Sequence, residues 1–385
     1  MKRNDVCVIR RGFFPQDPRV HKEVKTLVEY GFNVDVICLK KKNQIFRQKS
    51  WGVNVYRIPA SHIKRGILKY TFEYLYFFIG ACILVNILNI GRRYKYIQVN
   101  SVPNFLVFAA IIPKLFGTKI ILDVHEPMPE LFSSLYKGAL SKIIFGILIL
   151  EEKFSFGVAD KIVTVSAPLK SLFIFRNRHI SSQIIVIHNT PYIESPNRTS
   201  IKKKNKNTFK IVCHGTILQR YGFQTLIKTV PYLNNIISQY KIIIIGEGEY
   251  LSDLMSYVEK KRWQDRVEFK GFLPRKKLFE EIRKCDVGIV PIEKDNFTQY
   301  ILPNKLFEFV EIGIPVISSS LKTIKMYFRD TILYFSPGEA NDLAKKIILL
   351  YKNYSIATEY SVKAKQRMST YTWNIEKEKY CSLFR

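Results

Sequence analysis

Leu302-Pro303-Asn304-Lys305-Leu306-Phe307-Glu308-Phe309-Val310-Glu311-Ile312-Gly313-Ile314-Pro315-Val316-Ile317 is the stretch on which the reading of the fold turns. Its first half predicts a short amphipathic helix, and the apolar run after Gly313 and Pro315 predicts a buried strand. At the start of such a helix the first N–H groups have no partner, and the positive end of the dipole faces outward. Lys305 adds a full charge there. Glu308, about one turn on, accepts hydrogen bonds from hydroxyls. A cation, a helix tip and a carboxylate suit a diphosphate joined to a ribose, as in a nucleotide sugar. An ordinary helix feeding an ordinary strand has the same residue types, so the rest of the chain decides.

Working outward, β-branched runs alternate with helical patterns. Strands are predicted at Val6–Arg10, Val34–Leu39, Val53–Ile58, Tyr96–Asn100, Lys119–Val124, Lys161–Val165 and Ile184–His188. Between them lie helical stretches at Arg19–Tyr30, Tyr70–Asn89, Phe105–Phe116 and Lys142–Phe156. Residues 191–208 hold prolines and a lysine cluster with little apolar content, which predicts a linker. The alternation then restarts, with strands at Lys210–His214, Lys241–Gly246, Arg266–Phe269, Asp286–Pro291, Pro315–Ser319 and Ile332–Phe335. Helices are predicted at Gln224–Leu233, Tyr250–Lys261, Arg275–Lys284, Lys305–Glu311 and Ala340–Tyr351, with a last helical stretch at Ser361–Phe384. Near-continuous apolar strands separated by helices indicate parallel sheets covered on both faces. The expected fold is therefore α/β: two doubly wound Rossmann-like domains, residues 1–190 and 209–360, facing across a cleft. Residues 361–385 are expected to form a C-terminal helix that packs back on the first domain. Ligands of such sheets bind outside the carboxyl ends of the strands, hence in that cleft.

A chain of 385 residues that is 47% hydrophobic is globular and large enough for two cores. Its net charge of +29 is shared by both halves and favours phosphate substrates or an anionic membrane surface as partners. Biased composition, rich in Lys, Ile, Asn and Tyr, explains the same charge without a partner. Six scattered cysteines show no metal or redox spacing, and Cys7, Cys38 and Cys213 read as small core residues of a protein in a reducing compartment. The stretch from Gly66 to Ile90 is long and apolar, interrupted by Glu73, Asn86 and Asn89 and followed by Arg92, Arg93 and Lys95. It is expected to be a buried crossover helix, with docking at a membrane surface as the second reading.

Four pieces of the second half carry the chemistry. His214-Gly215-Thr216 ends one strand, and Arg220-Tyr221-Gly222 opens the next helix. Gly246-Glu247-Gly248 ends the second strand as a tight turn. Gly271-Phe272-Leu273-Pro274 follows the third and offers backbone amides to a base edge. The Lys305/Glu308 helix comes last. Each is unspecific alone; their order and spacing are not.

With Phe13-Phe14-Pro15-Gln16-Asp17-Pro18-Arg19-Val20, Leu122-Asp123-Val124-His125-Glu126, Val267-Glu268-Phe269-Lys270-Gly271-Phe272 and Asp286-Val287-Gly288-Ile289-Val290-Pro291, the chain resembles the family 4 glycosyltransferases of the GT-B fold over nearly its whole length. The resemblance implies a retaining transferase that takes a nucleoside-diphosphate sugar in the C-terminal domain. It implies a saccharide or lipid-linked acceptor in the N-terminal one. Donor contacts are expected from Gly215, Thr216, Arg220, Gly246, Glu247, Gly248, Gly271, Phe272, Leu273, Tyr300, Pro303, Asn304, Lys305, Leu306 and Glu308. Asp17, Arg19, His125 and Glu126 are expected on the acceptor side. The family carries two glutamates with seven residues between them; Glu308 matches the second, and Tyr300 stands where the first would fall. Thr216 stands where a basic residue often follows the glycine, leaving Arg220 and Lys305 for the diphosphate.

Catalysis is expected from Arg220, Lys305 and Glu308, with His125 in sugar contact or acid–base help, and with neither a metal nor another cofactor. The alternative for His125 is a structural hydrogen-bonding histidine, and Asp123 reads as structural. The cell context implied is surface polysaccharide or glycolipid synthesis in the cytoplasm, at or near the inner face of a membrane. Two rivals remain: a nucleotide-sugar 2-epimerase of the same fold, and a non-enzymatic polyanion binder. No nucleic-acid partner is expected, since no recognised nucleic-acid-binding motif is present.

Overall fold

A computed structural model describes residues 5–59, 67–136, 138–190 and 208–385, without the side chains of 67–71. The chain divides into one unit of Met1–Asn189 with Trp373–Arg385 and a second of Thr190–Thr372. The predicted linker lies outside the described residues as far as residue 207.

The first unit holds β1 (Asp5–Arg10), β2 (Asn33–Lys40), β3 (Arg47–Ser50), β4 (Val53–Pro59), β5 (Tyr96–Asn100), β6 (Lys119–Val124), β7 (Lys161–Thr164) and β8 (Ile184–Val186). Their order is β3-β4-β2-β1-β5-β6-β7-β8, parallel apart from the β3–β4 pair. Sequence reasoning missed β3 because Arg47-Gln48-Lys49-Ser50 is wholly polar. It is an edge strand with no buried residue, so no hydrophobic alternation announces it. Helices α1 (Pro18–Glu29), α2 (Ile67–Arg92), α3 (Ile111–Leu115), α4 (Met128–Leu135) and α5 (Ala139–Val158) cover the sheet. Asp17 caps α1 by accepting from the Arg19 amide, and Pro18 sits in the first turn, where its missing N–H is harmless. Helix α4 was missed because Pro127 and Pro129 read as a loop, yet Pro129 also falls in a first turn.

One expectation needs correction. Helix α2 is a crossover helix but is buried on one face only. Phe77, Ala81 and Val85 pack inward, while Phe72, Leu75, Tyr76, Ile79, Ile83, Ile87 and Ile90 are exposed. A helix that is apolar all round gives no sequence signal of which side faces the sheet.

The C-terminal stretch also differs from its expected bounds. Helix Tyr354–Met368 belongs to the second unit, and helix Trp373–Cys381 belongs to the first. The latter is held by polar bonds as well as packing. Trp373 Nε1 donates to Thr26 Oγ1 at 3.1 Å, and the His188 amide and ring meet the Glu376 carboxylate at 3.1 and 2.8 Å.

The second unit holds β9 (Phe209–His214), β10 (Tyr240–Ile245), β11 (Val267–Phe269), β12 (Val287–Val290), β13 (Val316–Ser319) and β14 (Leu333–Phe335). The sheet is parallel, in the order β11-β10-β9-β12-β13-β14. Order reverses beside β9, and that reversal opens a crevice at the strands' carboxyl ends. The helix expected at Gln224–Leu233 is two short ones, Phe223–Ile227 and Val230–Asn234, because Pro231 has no N–H to continue the first.

Candidate functional site

In the second unit the turns after β9, β10 and β11 are bonded to one another. Gly215 N donates to Ile245 O at 2.9 Å, Ile217 N to Glu247 O at 2.8 Å, and Gly246 N to Gly271 O at 2.8 Å. Backbone approaches backbone so closely that a Cβ on Gly246 would lie 1.9 Å from the Gly215 carbonyl oxygen. Thr216, Glu247, Gly248 and Phe272 are exposed along this edge, and Leu273 is half-buried.

The helix Asn304–Ile312 begins after Pro303, whose side chain offers no cap; Leu306 N donates to Pro303 O at 3.1 Å, and the amides before it have no partner within the helix. Lys305 lies against the β9 turn, with Cε and Nζ both 3.5 Å from where a Cβ on Gly215 would stand. Its ammonium sits over the rings of Phe223 and Tyr221, at 5.0 and 5.7 Å from their centroids. It is buried and has no hydrogen-bond acceptor among the described residues. A cation in that condition is costly unless something anionic joins it.

Glu308 Oε2 lies 3.3 Å from His214 Nε2, though not aligned for a hydrogen bond. Burial and the nearby Lys305 drive the His214 pKa down to about 3, so the imidazole is neutral. Burial raises the Glu308 pKa, against the opposing pull of Arg275 and Lys305. Arg220 places its guanidinium over the Phe297 ring at 5.5 Å, and its carbonyl accepts from the Glu293 amide at 2.9 Å. Tyr300 ends a short 3-10 turn, Thr298–Tyr300, just before Pro303, and is half-buried. Leu306 is a correction: its side chain is in the hydrophobic core, so only its backbone belongs to the site edge.

Sequence reasoning missed Glu293. Its carboxylate accepts from Thr225 Oγ1 at 2.6 Å and Gln224 Nε2 at 3.3 Å, tying the Gly222 turn to the segment after β12. No motif spacing marks it. The nearest signal is Gly222, where a Cβ would fall 1.7 Å from the Pro291 oxygen.

In the first unit the residues expected on the acceptor side gather at the carboxyl ends of β1 and β6. Asp17 pairs with Arg10 at 3.2 Å and Arg19 at 3.5 Å. Burial opposes ionisation of Asp17, but Arg19 and Arg10 outweigh it and hold the pKa below the ordinary value. His125 Nε2 meets Asp123 Oδ2 at 2.6 Å, and burial lowers the histidine's pKa despite that carboxylate. Glu126 is half-buried beside it. Glu23, Asp123 and His125 place ligand atoms within 4.8 Å of one another, a set that could hold a metal ion. Those atoms are already engaged, because Asn100 donates to both Glu23 Oε2 and Asp123 Oδ2. Arg10 and Lys22 already supply positive charge around them.

Residues 195–368 match the model of the family described as Glycosyl transferases group 1. Over 293 residues the chain is 21% identical to a phosphatidylinositol N-acetylglucosaminyltransferase subunit of Saccharomyces cerevisiae, covering 74% of this chain and 62% of that protein. The chain spans 49% to 62% of the length of the curated relatives it matches. Among solved structures, sucrose-phosphate synthase from Thermosynechococcus elongatus superposes with a TM-score of 0.77, at 17% identity over 99% of this chain and 98% of that one. HepE of Anabaena, crystallised with UDP, gives a TM-score of 0.70 at 14% identity over 98% of each chain. The protein has the GT-B fold.

Proposed function

We propose that this protein is a group 1 glycosyltransferase, a retaining hexosyltransferase of the family 4 type that moves a sugar from a nucleoside-diphosphate donor to a saccharide or lipid-linked acceptor. The observation that carries the reading is the buried Lys305 ammonium, which has no acceptor among the described residues and lies beside the glycine turn after β9. A diphosphate supplies the missing charge. When the glycosidic bond breaks, the leaving diphosphate gains negative charge, and Lys305 with the first amides of its helix is preorganised to stabilise it. Arg220 adds a second cation, and Glu308 takes the donor's ribose hydroxyls. The amides and exposed side chains of the β10 and β11 turns face the base. On the acceptor side Arg19 and Glu126 hold hydroxyls, and His125, kept neutral by its burial, accepts or passes a proton. No metal or other cofactor is assigned a step. Six free cysteines support a reducing, cytoplasmic location.

A thermal-shift screen against UDP-, GDP-, ADP- and TDP-sugars tests the donor site, since ligand at 100 times Kd adds about 2.7 kcal/mol of stability. One nucleotide series should raise the melting temperature, and the anomeric configuration of the product, read by NMR, should match the donor's. No shift with any series would overturn the reading.

A further inference from the structure

We infer that the first unit carries an anionic-membrane docking plane formed by α2, α3 and α5, with both long helices lying along the surface. The observation that carries this is the exposed apolar stripe of α5. The buried residues of the helix are Ser141, Glu152 and Ser155 together with Phe156. Leu140, Ile143, Ile147, Leu150 and Phe154 are each more than half exposed. Their spacing of three and four residues makes a single stripe. The buried carboxylate is not incidental, because Glu152 is held by Arg176 at 2.9 Å and Asn177 at 3.1 Å. A helix that buries a carboxylate and two hydroxyls while exposing an unbroken apolar stripe is matched to an apolar exterior.

Helix α2 presents a second exposed apolar stripe, through Phe72, Leu75, Ile79, Ile83, Ile87 and Ile90. The 3-10 helix Asn104–Ala110 joins the two. Phe105 meets Phe78 of α2 at 5.7 Å, and Asn104 donates to Glu151 of α5 at 3.3 Å. Helix α3, directly after it, adds exposed Ile112 and Leu115, with Phe116 beyond. The stripes run about 20–27 Å at 1.5 Å per residue, far larger than scattered surface apolars require.

Length and hydropathy would let Phe72–Arg92 cross a bilayer. Its inner face forbids this: Phe77, Ala81 and Val85 are buried, and a Cβ on Gly80 would meet Ile58 of β4 at 3.1 Å. The helix therefore lies in the plane of the surface.

Charge selects the occupant. Lys142 and Lys153 of α5, and Arg93 and Lys95 after α2, are exposed. Among the described residues of α2, α3 and α5 none of the acidic side chains is exposed. A second copy would set this basic rim against itself, whereas anionic headgroups match it.

The test is flotation of the full chain with phosphatidylcholine vesicles, with and without a third phosphatidylglycerol. The chain should float with the anionic vesicles at low salt. Ile143→Ser/Ile147→Ser with Ile83→Ser should weaken binding at least about a hundredfold, and Lys142→Gln/Lys153→Gln about thirtyfold. These side chains are exposed, so the melting temperature should hold. An Ile147→Trp variant should show blue-shifted emission on the anionic vesicles. Protein remaining in solution overturns the inference, and so does equal flotation of the apolar variants. A dimer seen by sedimentation that the same substitutions abolish, without vesicle binding, would assign the plane to a second copy. Nucleotide-sugar binding is read separately, so failure here leaves the donor site untouched.

Discussion

In the first unit Glu23, Asp123 and His125 are bonded to one another or through Gln98 and Asn100, while Arg10 pairs with Asp17. In the second unit the Lys305 ammonium is also buried, but among the described residues it meets aromatic faces and a glycine turn rather than an acceptor. Both sites lie at the carboxyl ends of a parallel sheet. The charges of the first network answer one another, although Asp123 Oδ1 and Arg10 Nε have no hydrogen-bond partner among the described residues. A buried ammonium with no acceptor stores a desolvation cost that an incoming anion removes. The comparison separates scaffold chemistry from ligand chemistry without reference to motif.

The strongest way to break it is Lys305→Met. Transfer should fall by about 3–4 kcal/mol in kcat/KM, the usual cost of removing one preorganised charge donor. The unliganded melting temperature should hold or rise, because an unsatisfied cation has gone. Near-normal turnover would remove the contrast between the units.

Gly222→Ala provides a structural control beside the same site. With φ at +70° and a Cβ 1.7 Å from the Pro291 oxygen, backbone must move. A loss of about 3 kcal/mol in denaturant unfolding is expected. Gly271→Ala, with φ at +62° and open space around the new Cβ, should cost only about 1 kcal/mol. Equal losses would mean the Gly222 turn is not tightly packed.

His125→Asn sharpens the first unit's side of the comparison. A scaffold role predicts a stability loss of about 1–2 kcal/mol from the broken Asp123 contact. A role in transfer predicts a changed pH dependence of kcat as well.

The smallest effect concerns Glu376, whose carboxylate faces His188 and Lys379. Burial raises its pKa, but bonding to His188 outweighs this, so the folded value lies below the ordinary one. Its stabilisation is therefore present above about pH 4.3, the unfolded value, and is lost as pH falls through the folded value. The melting-temperature gap between wild type and Glu376→Gln, worth about 1 kcal/mol at pH 7, should close in acid. A gap independent of pH would contradict the assignment.

Most strands were legible because each is an apolar run set between turn residues. Strand β3 was not, because an edge strand of Arg47-Gln48-Lys49-Ser50 buries nothing. The Lys305 helix was legible from Pro303 at its start and Gly313 at its end. Glu293 was not, since its partners Gln224 and Thr225 are brought to it by folding alone. The single helical stretch read at Ser361–Phe384 missed the break before Trp373.

By itself the sequence determined the alternation of strand and helix, the two-part organisation and the residue types at each turn. Those follow from local periodicity and from the conformations open to glycine and proline. Only the tertiary structure decided which face of α2 and α5 is left outside and which buried charges are answered. It also decided that Trp373–Cys381 returns to the first unit. Burial and charge pairing arise between residues far apart in the chain, where no local pattern records them.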